Sequence, residues 1–404
     1  MDPVIVAVFA VVYAGMILGG IPGLALDRTG VALLGAIVLV ASGRVSAAAA
    51  WRAVDVPTVA LLFGLMVVSA QFRLGGFYAA LTRRLAAAAV GPGTLLALLV
   101  AAVGLLSAVL ANDIVCLAVA PLLVEGCARR GLDPVPFLLA LACAANVGSA
   151  ATLIGNPQNM LVGQTLHLSF AGYALDAAAP ALASLAVVWF VVRRGSRRRW
   201  LAHTPIPAVE APPFDAWQTL KGALLVAGIV AAFLFTRWPR EVVALAAAGI
   251  LMTSRRMRTR DVLAAVDWQL LALFVGLFVV NHALVASGAA SGALAALASL
   301  GLDLRAPAPL FAATAVLSNL VSNVPAVMLL LPAASHQAAG PVLALASTLA
   351  GNLLVVGSLA NIIVVEQAAR LGVPISWRRH ARTGVPVTVA TLALAAAWLA
   401  LRGV

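Results

Sequence analysis

Charged residues are scarce in this chain of 404 residues. Asp, Glu, Lys and Arg together supply 10% of it, whereas hydrophobic residues supply 63%, and the mean hydropathy is +1.06. This composition excludes an ordinary soluble domain, and many apolar stretches reach the ~20 residues that a helix needs to cross a bilayer. The sequence therefore predicts an all-α polytopic (multi-pass) membrane protein.

Signatures of catalysis are also lacking. Cys116, Cys127 and Cys143 lie in or beside apolar stretches, without the spacing of metal ligands. No Walker loop, metal-ligand set or nucleophile triad occurs, so we expect neither an enzyme nor ATP-driven transport, and no cofactor beyond a coupling ion. The net charge of +12 comes from arginine clusters at the ends of apolar spans, where they orient a chain in the membrane. We therefore expect the lipid bilayer, and no nucleic acid, as a partner.

The chain instead repeats itself at a distance of about 210 residues. Residues 54–68 recur without a gap as 266–280, with Val-Asp at the start and Gly-Leu in the middle of both. Residues 106–112, followed by Pro121, are matched by residues 317–323, followed by Pro332. Two copies of one half, each broken by polar residues, Pro and Gly at the same place, favour a secondary transporter with its site between the halves.

Apolar runs define the candidate membrane spans. These cover roughly residues 3–24, 30–42, 56–75, 93–124, 134–164, 170–192, 218–236, 240–254, 268–287, 307–333, 341–367 and 383–402.

Two of these stretches, 93–124 and 307–333, do not fit a single crossing. Each consists of an apolar run, a small polar cluster and a second apolar run. Such a segment can enter the membrane, turn at the polar cluster and leave on the same side, if protein or a water-filled cavity surrounds the turn. We predict a re-entrant hairpin in each half.

The arginines test this topology. If both stretches are re-entrant, the main clusters fall on one face, which is then the cytoplasm. The first hairpin then opens to the cytoplasm and the second to the outside, so the chain consists of two inverted repeats. The predicted units are a first transmembrane repeat at 1–192, a cytoplasmic linker at 193–217 and a second repeat at 218–404. The arginines in question are Arg83, Arg84, Arg129, Arg130, Arg193, Arg194, Arg197, Arg198, Arg199, Arg255, Arg256, Arg258, Arg260, Arg378, Arg379 and Arg382.

Four polar clusters stand in otherwise apolar sequence, and they define the candidate site. Each unsatisfied amide or hydroxyl group in hydrocarbon costs several kcal/mol, so these groups must face one another, water or a ligand. The candidate substrate- and ion-binding residues are Asn112, Asp113, Asn146, Ser149, Thr152, Gly155, Asn156, Pro157, Asn159, Ser322, Asn323, Asn352, Gly357, Ser358 and Asn361.

Broken helices explain the chemistry expected there. A helix interrupted at Gly155, Asn156 and Pro157 exposes free carbonyl groups on one side of the break and free amide groups on the other. The carbonyls, joined by side-chain oxygens of residues such as Asn112 and Asn159, suit a small cation, and the amide ends suit an anion. The second half can build a related pocket.

Asp113 is the one carboxylate that we place well inside the membrane. It could bind a coupling cation or exchange a proton during transport. Alternatively, it could cap the helix that restarts at Ile114. The second copy has Val324 at this place, so a proton role would not be duplicated. Asp55 and Asp267 begin their helices in both repeats, and we expect them to be N-caps.

At these residues the chain resembles the ion transporter superfamily, and particularly bacterial permeases with a citrate-transporter-like domain. The superfamily includes arsenite permeases, sodium/proton antiporters and divalent anion/sodium symporters. Residues 146–159 are similar to its first unwound helix, which usually ends Gly-Thr-Pro-Pro-Asn or Gly-Asp-Pro-Pro-Asn. Residues 111–113 and 322–324 occupy the place of its Ser-Asn-Thr hairpin tips. Neither tip reads Ser-Asn-Thr, and residues 357–361 lack the double proline.

The resemblance implies a homodimer in a bacterial inner membrane, with a scaffold domain and a carrier domain that moves like an elevator. It implies site roles for Asn112, Asp113, Gly155, Asn159, Ser322, Asn323, Gly357 and Asn361. Sodium would lie at Asn112, Gly155 and Asn159, and at Asn323, Gly357 and Asn361.

The function predicted is secondary active transport of a small anion or organic acid, coupled to sodium or protons. The alternatives are a sodium/proton antiporter that uses Asp113, an arsenite-type efflux permease, and a channel or non-transporting scaffold.

Overall fold

The computed structural model describes residues 2–196, 200–202 and 205–403. Within these ranges the chain forms twenty α-helices and two short 3-10 helices, and its only β-structure is isolated bridges. Six of the described helices are long and apolar enough to cross a membrane. The prediction of an all-α polytopic membrane protein is therefore confirmed.

The first half of the chain contains ten helices, which lie in the following order. They are α1 (Pro3–Leu18), α2 (Arg28–Ala41), α3 (Ala47–Ala53), α4 (Val56–Leu74), α5 (Phe77–Ala87), α6 (Pro92–Val109), α7 (Asn112–Arg129), α8 (Pro134–Ser149), α9 (Pro157–Thr165) and α10 (Phe170–Ser196).

The second half repeats this order helix by helix. It contains α11 (Ala216–Phe235), α12 (Arg240–Met252), α13 (Thr259–Ala264), α14 (Trp268–Ala286), α15 (Ala289–Ser299), α16 (Pro307–Val321), α17 (Asn323–Leu330), α18 (Ala339–Ala350), α19 (Leu359–Arg370) and α20 (Trp377–Leu401).

Local signals recur at equivalent places in the two halves. The Asp55 carboxylate accepts a hydrogen bond from the backbone N–H of Thr58 (3.0 Å), and the Asp267 carboxylate accepts one from that of Leu270 (2.9 Å). Both aspartates are thus the predicted N-caps. The short helices α5 and α15 each begin after a glycine in the left-handed region, Gly76 (φ 68°) and Gly288 (φ 75°), where a side chain would be strained.

The two halves also contact each other reciprocally. Helix α4 packs against α12, as α14 packs against α2, and α9 packs against α18, as α8 packs against α19. Helices α10 and α20, which occupy equivalent places, pack against each other. A two-fold relation between two similar units produces such exchange of partners. The fold is therefore consistent with the predicted inverted repeats, whose orientation in the membrane stays a prediction.

Several predicted boundaries were wrong. The first apolar stretch was expected to be helical to residue 24, but α1 ends at Leu18, because Gly19 (φ 83°) turns the chain and Pro22 follows. The long stretches 93–124 and 307–333 are each divided into two helices that pack on each other, as predicted for hairpins.

Sequence periodicity missed four helices, α3, α5, α13 and α15, because they are too short to produce a clear pattern. Arg197, Arg198 and Arg199 lie outside the described residues.

Two glycines allow the backbones of the two halves to approach each other closely. A Cβ atom at Gly64 on α4 would lie 2.7 Å from the carbonyl carbon of Ala244 on α12. At the equivalent Gly276 on α14, a Cβ atom would lie 2.7 Å from the carbonyl carbon of Ala32 on α2. Because backbone atoms cannot move aside as side chains can, only glycine fits at these two crossings.

Replacing either glycine tests this packing. We expect Gly64→Ala and Gly276→Ala each to destabilise the protein by roughly 1–3 kcal/mol, because the added methyl group overpacks the crossing. The measurement is the Tm of the purified protein in detergent. Gly249→Ala on α12 is the matched control, since a Cβ atom there meets nothing within 4 Å and alanine favours a helix. A Tm that falls equally in all three variants would contradict the prediction.

Candidate functional site

Two broken helices form the centre of the candidate site. Helix α8 ends at Ser149 and α9 begins at Pro157, while α18 ends at Ala350 and α19 begins at Leu359. Asn156 and Ser358 occupy the N-cap position after each break, with similar extended backbone (φ −151°, ψ 161° and φ −143°, ψ 140°). The Asn156 side chain accepts from the Asn159 N–H (2.9 Å), and the Ser358 hydroxyl accepts from the Ala360 N–H (3.2 Å).

Each break is held by one asparagine in the helix that follows it. Asn159 Nδ2 donates to the carbonyl oxygens of Ser149 (3.3 Å) and Thr152 (2.9 Å). Asn361 Nδ2 donates in the same way to those of Gly351 (2.8 Å) and Leu354 (3.1 Å). The two asparagines therefore satisfy carbonyl groups that the sequence led us to expect free for a cation.

The polar side chains of the two repeats meet across the centre. Asn146 Nδ2 on α8 donates to the side-chain oxygens of Asn352 (2.9 Å) and Asn361 (3.3 Å), and its Oδ1 accepts from the Ser358 hydroxyl (2.8 Å). All four residues are buried, so each of these hydrogen bonds replaces one with water. One side chain of the first repeat thus joins three side chains of the second.

Thr348 on α18 completes the network, and the sequence analysis missed it. Its hydroxyl accepts from Asn156 Nδ2 (3.3 Å) and Gln158 Nε2 (3.1 Å), and it donates to Asn159 Oδ1 (3.3 Å). Gln158 was missed as well. Thr348 lies in the last turn of α18, four residues before Asn352 in the break, and a polar residue this close to a predicted polar cluster is a signal that could have found it.

The hairpin tips pack onto the breaks. The Asn112 N–H donates to the Gly155 carbonyl (3.2 Å), and Asn112 Nδ2 lies 3.5 Å from Asn146 Oδ1. With its amide oriented to satisfy both ends, Asn323 Nδ2 donates to the carbonyls of Gly357 (2.9 Å) and Ser347 (3.0 Å). The first tip also receives support from α4, where the Ser69 hydroxyl accepts from the Ala111 N–H (3.2 Å).

The tips differ in backbone conformation. Ser322, between α16 and α17, has φ 74° and ψ 162°, a region that residues other than glycine rarely occupy. Ala111, at the equivalent place in the first hairpin, has an ordinary φ of −57°. The second tip is therefore strained, and the first is not.

Several buried oxygens near the tips have no hydrogen-bond partner within the described protein. They are Ser107 Oγ and Asn112 Oδ1 in the first repeat, and Ser318 Oγ and Asn319 Oδ1 in the second. Ser107 and Ser318 occupy equivalent positions in the repeated segment, although the sequence analysis did not include them in the site. Unpaired oxygens in a buried place are groups that a cation can satisfy.

Asp113 takes no part in this network, and it does not cap α7 as the sequence had suggested. Helix α7 has Ala111 at its N-cap and no capping side chain, although a negative charge in the first turn still favours the helix dipole. Asp113 instead lines a cavity of about 220 Å³, together with Pro157, Arg73 and Asp267. Arg73 and Asp267 were not predicted to lie beside Asp113.

The structure thus brings most predicted site residues into one network and leaves others at its edge. Thr152 donates to the Ala108 carbonyl of the first hairpin, and the Ser149 hydroxyl accepts from Asn156 Nδ2 (2.9 Å). Asp113 and Pro157 lie at the neighbouring cavity, and the Ser322 side chain makes no hydrogen bond within the described chain. Ligand binding by any of these residues stays a prediction.

Two helical hairpins that pack onto two broken helices, in an apolar helical protein, form an architecture typical of membrane transporters. A family model described as a citrate transporter (CitMHS) matches residues 13–350. The chain therefore belongs to the citrate transporter family.

Several known proteins are similar to this chain in sequence or in fold. The inner membrane protein YbiR of Escherichia coli is 32% identical over 338 residues, which cover 81% of this chain and 83% of YbiR. The silicon efflux transporter LSI3 of Oryza sativa subsp. japonica is 35% identical over 179 residues, which cover 44% of this chain and 37% of LSI3. The crystal structure of the YdaH transporter of Alcanivorax borkumensis is similar in fold, with a TM-score of 0.61, 16% identity, and coverage of 99% of this chain and 97% of that one.

Removing the Thr348 hydroxyl tests the network. We expect Thr348→Val to lower the free energy of unfolding by about 1–3 kcal/mol, because it leaves Asn159 Oδ1 and a Gln158 hydrogen without this partner. The matched control is Thr388→Val, since the buried Thr388 hydroxyl has no partner among the described residues. Thermal unfolding in detergent measures both variants. Equal losses of Tm in the two variants would show that the Thr348 hydrogen bonds stabilise the protein no more than the Thr388 hydroxyl does.

Proposed function

We propose that this protein is a secondary active transporter that moves a small anion or organic acid across the bacterial inner membrane. Transport is coupled to a sodium or proton gradient through an elevator-like alternating-access mechanism. Membership of the citrate transporter family and the name of the E. coli relative, an inner membrane protein, support the proposal. The homodimer implied by the family resemblance is part of it.

The anion assignment rests on one observation, which is that several helices begin beside the network. Helices α9 and α19 begin immediately after the breaks, and α7 and α17 begin at the hairpin tips. Helix α19 packs against α7, and α17 packs against α9. Each N-terminus carries free N–H groups and about half a positive charge, so several together attract an anion without lysine or arginine.

Oxygens gathered beside two glycines support a coupling cation, and one of them, Asn319 Oδ1, has no hydrogen-bond partner among the described residues. At Gly155, a Cβ atom would lie 2.4 Å from the Ser149 carbonyl oxygen and 2.6 Å from the Ser107 carbonyl oxygen. At Gly357, a Cβ atom would lie 2.9 Å from Asn319 Oδ1 and 3.2 Å from the Gly351 carbonyl oxygen. Each glycine therefore lets oxygens from a hairpin and from a broken helix come together. We propose one sodium site beside each, with Asn112 and Asn323 nearby.

Gradient-driven uptake tests the proposal directly. In proteoliposomes we expect uptake of one member of a panel of citrate, dicarboxylates, sulfate and arsenite, and we expect an imposed sodium or proton gradient to drive it. The measurement is accumulation of radiolabelled substrate against its own gradient. Flux that ignores every gradient except that of the substrate would contradict the proposal and indicate a channel.

Gly155→Ala tests the role of the first oxygen cluster. The added methyl group collides with both carbonyl oxygens, so we expect it to weaken coupling-ion binding at least tenfold, the effect of about 1.4 kcal/mol. The measurement is the ion concentration at half-maximal uptake. Gly228→Ala on α11 is the matched control, because a Cβ atom there meets nothing within 4 Å. An unchanged ion dependence in Gly155→Ala would exclude a site at this break.

The cavity beside Asp113 favours a second function, sodium/proton antiport. Asp113 and Asp267 line this cavity together, so a proton or cation that enters it meets two carboxylates. In that case, sodium addition releases protons from proteoliposomes, and Asp113→Asn abolishes the release. If the protein is instead a sodium-coupled anion transporter, we expect the Asp113→Asn variant to retain sodium-driven uptake.

An arsenite-type efflux permease is the third candidate, which the name of the silicon efflux relative supports.

A further inference from the structure

A second cleft lies away from the central network, between α8, α10 and α20. Its volume is about 700 Å³, and its lining includes Arg378, Arg379, Arg382 and Asp133. We call it the basic cleft. The lining also includes apolar side chains, such as Leu139 on α8 and Val191 on α10. A cleft lined by arginines and by apolar side chains fits a ligand that has an anionic head and a hydrocarbon body.

The charges in the basic cleft do not balance. Among the described residues that line it, Asp133 is the one carboxylate. It forms an ion pair with Arg379 and caps α8 by accepting from the Val135 N–H (3.0 Å). In the part of the chain that the structure describes, Arg378 and Arg382 have no acidic partner. Arg378 lies over the ring of Trp377 (5.3 Å), which is 69% exposed. Among the described residues, two of the three arginines that line the cleft are thus not paired with a carboxylate.

The neighbouring surface is suited to lipid. Phe190 on α10 and Val385 on α20, close to the basic cleft in sequence, are 57% and 43% exposed. An exposed tryptophan beside a cluster of arginines is typical of the interface between the membrane and water. The predicted orientation places this end of α20 on the cytoplasmic face, where anionic phospholipids give the membrane its negative surface potential.

The first repeat supplies an internal comparison. The Ser376 hydroxyl, before α20, accepts from the Arg379 N–H (3.3 Å), and the Ser169 hydroxyl, before α10, accepts from the Gly172 N–H (3.2 Å). The positions that match the three arginines hold Ala171, Gly172 and Leu175. The fold therefore requires the serine cap but not the arginines. Membrane orientation explains basic residues on this face, but not why three of them line one cleft.

We propose that the basic cleft binds the phosphodiester headgroup of an anionic phospholipid, with its acyl chains along the exposed faces of α10 and α20. Arginine is well suited to this role, because its planar guanidinium group can donate two parallel hydrogen bonds to a phosphate. The headgroup would join α8 of the first repeat to α20 of the second. This inference does not depend on which substrate is transported.

Lipid binding to the purified full-length protein tests the proposal. Native mass spectrometry in neutral detergent measures the Kd for phosphatidylglycerol, with phosphatidylcholine, a zwitterionic lipid of zero net charge, as the comparison. We expect Arg378→Gln/Arg382→Gln to weaken phosphatidylglycerol binding about 30-fold, since each basic residue near a membrane surface contributes about fivefold. Arg379 is kept, so that Asp133 retains its partner.

The matched control is Arg255→Gln/Arg258→Gln, which removes two exposed arginines from the loop between α12 and α13. We expect it to bind phosphatidylglycerol as the unmodified protein does. An equal loss in both double variants, or no loss in the first, would overturn the proposal. Competition by inorganic phosphate at the same concentration would also overturn it, because the occupant would then be a free anion. If the first double variant does not fold, the single variant Arg382→Gln tests the proposal, and we expect it to weaken phosphatidylglycerol binding about fivefold.

Discussion

The structure depends on satisfying the backbone of two broken helices in a place that water does not fill. Asn159 and Asn361 each bind two carbonyl groups of the break that precedes them. Without such partners, each buried carbonyl group would cost several kcal/mol in an apolar environment. Because Asn146 and Thr348 link these asparagines across the halves, each break is stabilised partly by the other repeat. The stability of each break therefore depends on both halves.

The repeats share a framework but differ in chemistry. The first tip carries Asp113 beside a cavity, and the second has Val324 at that place. Strain at Ser322 is confined to the second tip. The two equivalent hairpins therefore differ at their tips. The first places a carboxylate at the neighbouring cavity, and the second has a strained backbone.

Sequence reasoning succeeded where the signal was local. The caps at Asp55 and Asp267, the break at residues 155–157 and the division of both long stretches follow from residue types within a few positions. The role of Asn159 was less predictable, because an asparagine can bind through its oxygen or its nitrogen, and only the fold shows that its nitrogen is directed at the carbonyls. Ser69 and Arg73 were missed, because their partners are distant in sequence and nothing in the local pattern distinguishes them. Thr348 was missed although it lies four residues before the predicted Asn352.

The central claim is that the two hairpins enter the membrane from opposite sides. Cysteine labelling with a membrane-impermeant maleimide tests it, in a background that lacks the buried Cys116, Cys127 and Cys143. Single cysteines at Ala89 and Arg129 flank the first hairpin, and those at Arg305 and Gln337 flank the second. The account predicts labelling of intact cells only at Arg305 and Gln337, and labelling at Ala89 and Arg129 only after lysis. Labelling on opposite sides of either hairpin would contradict it.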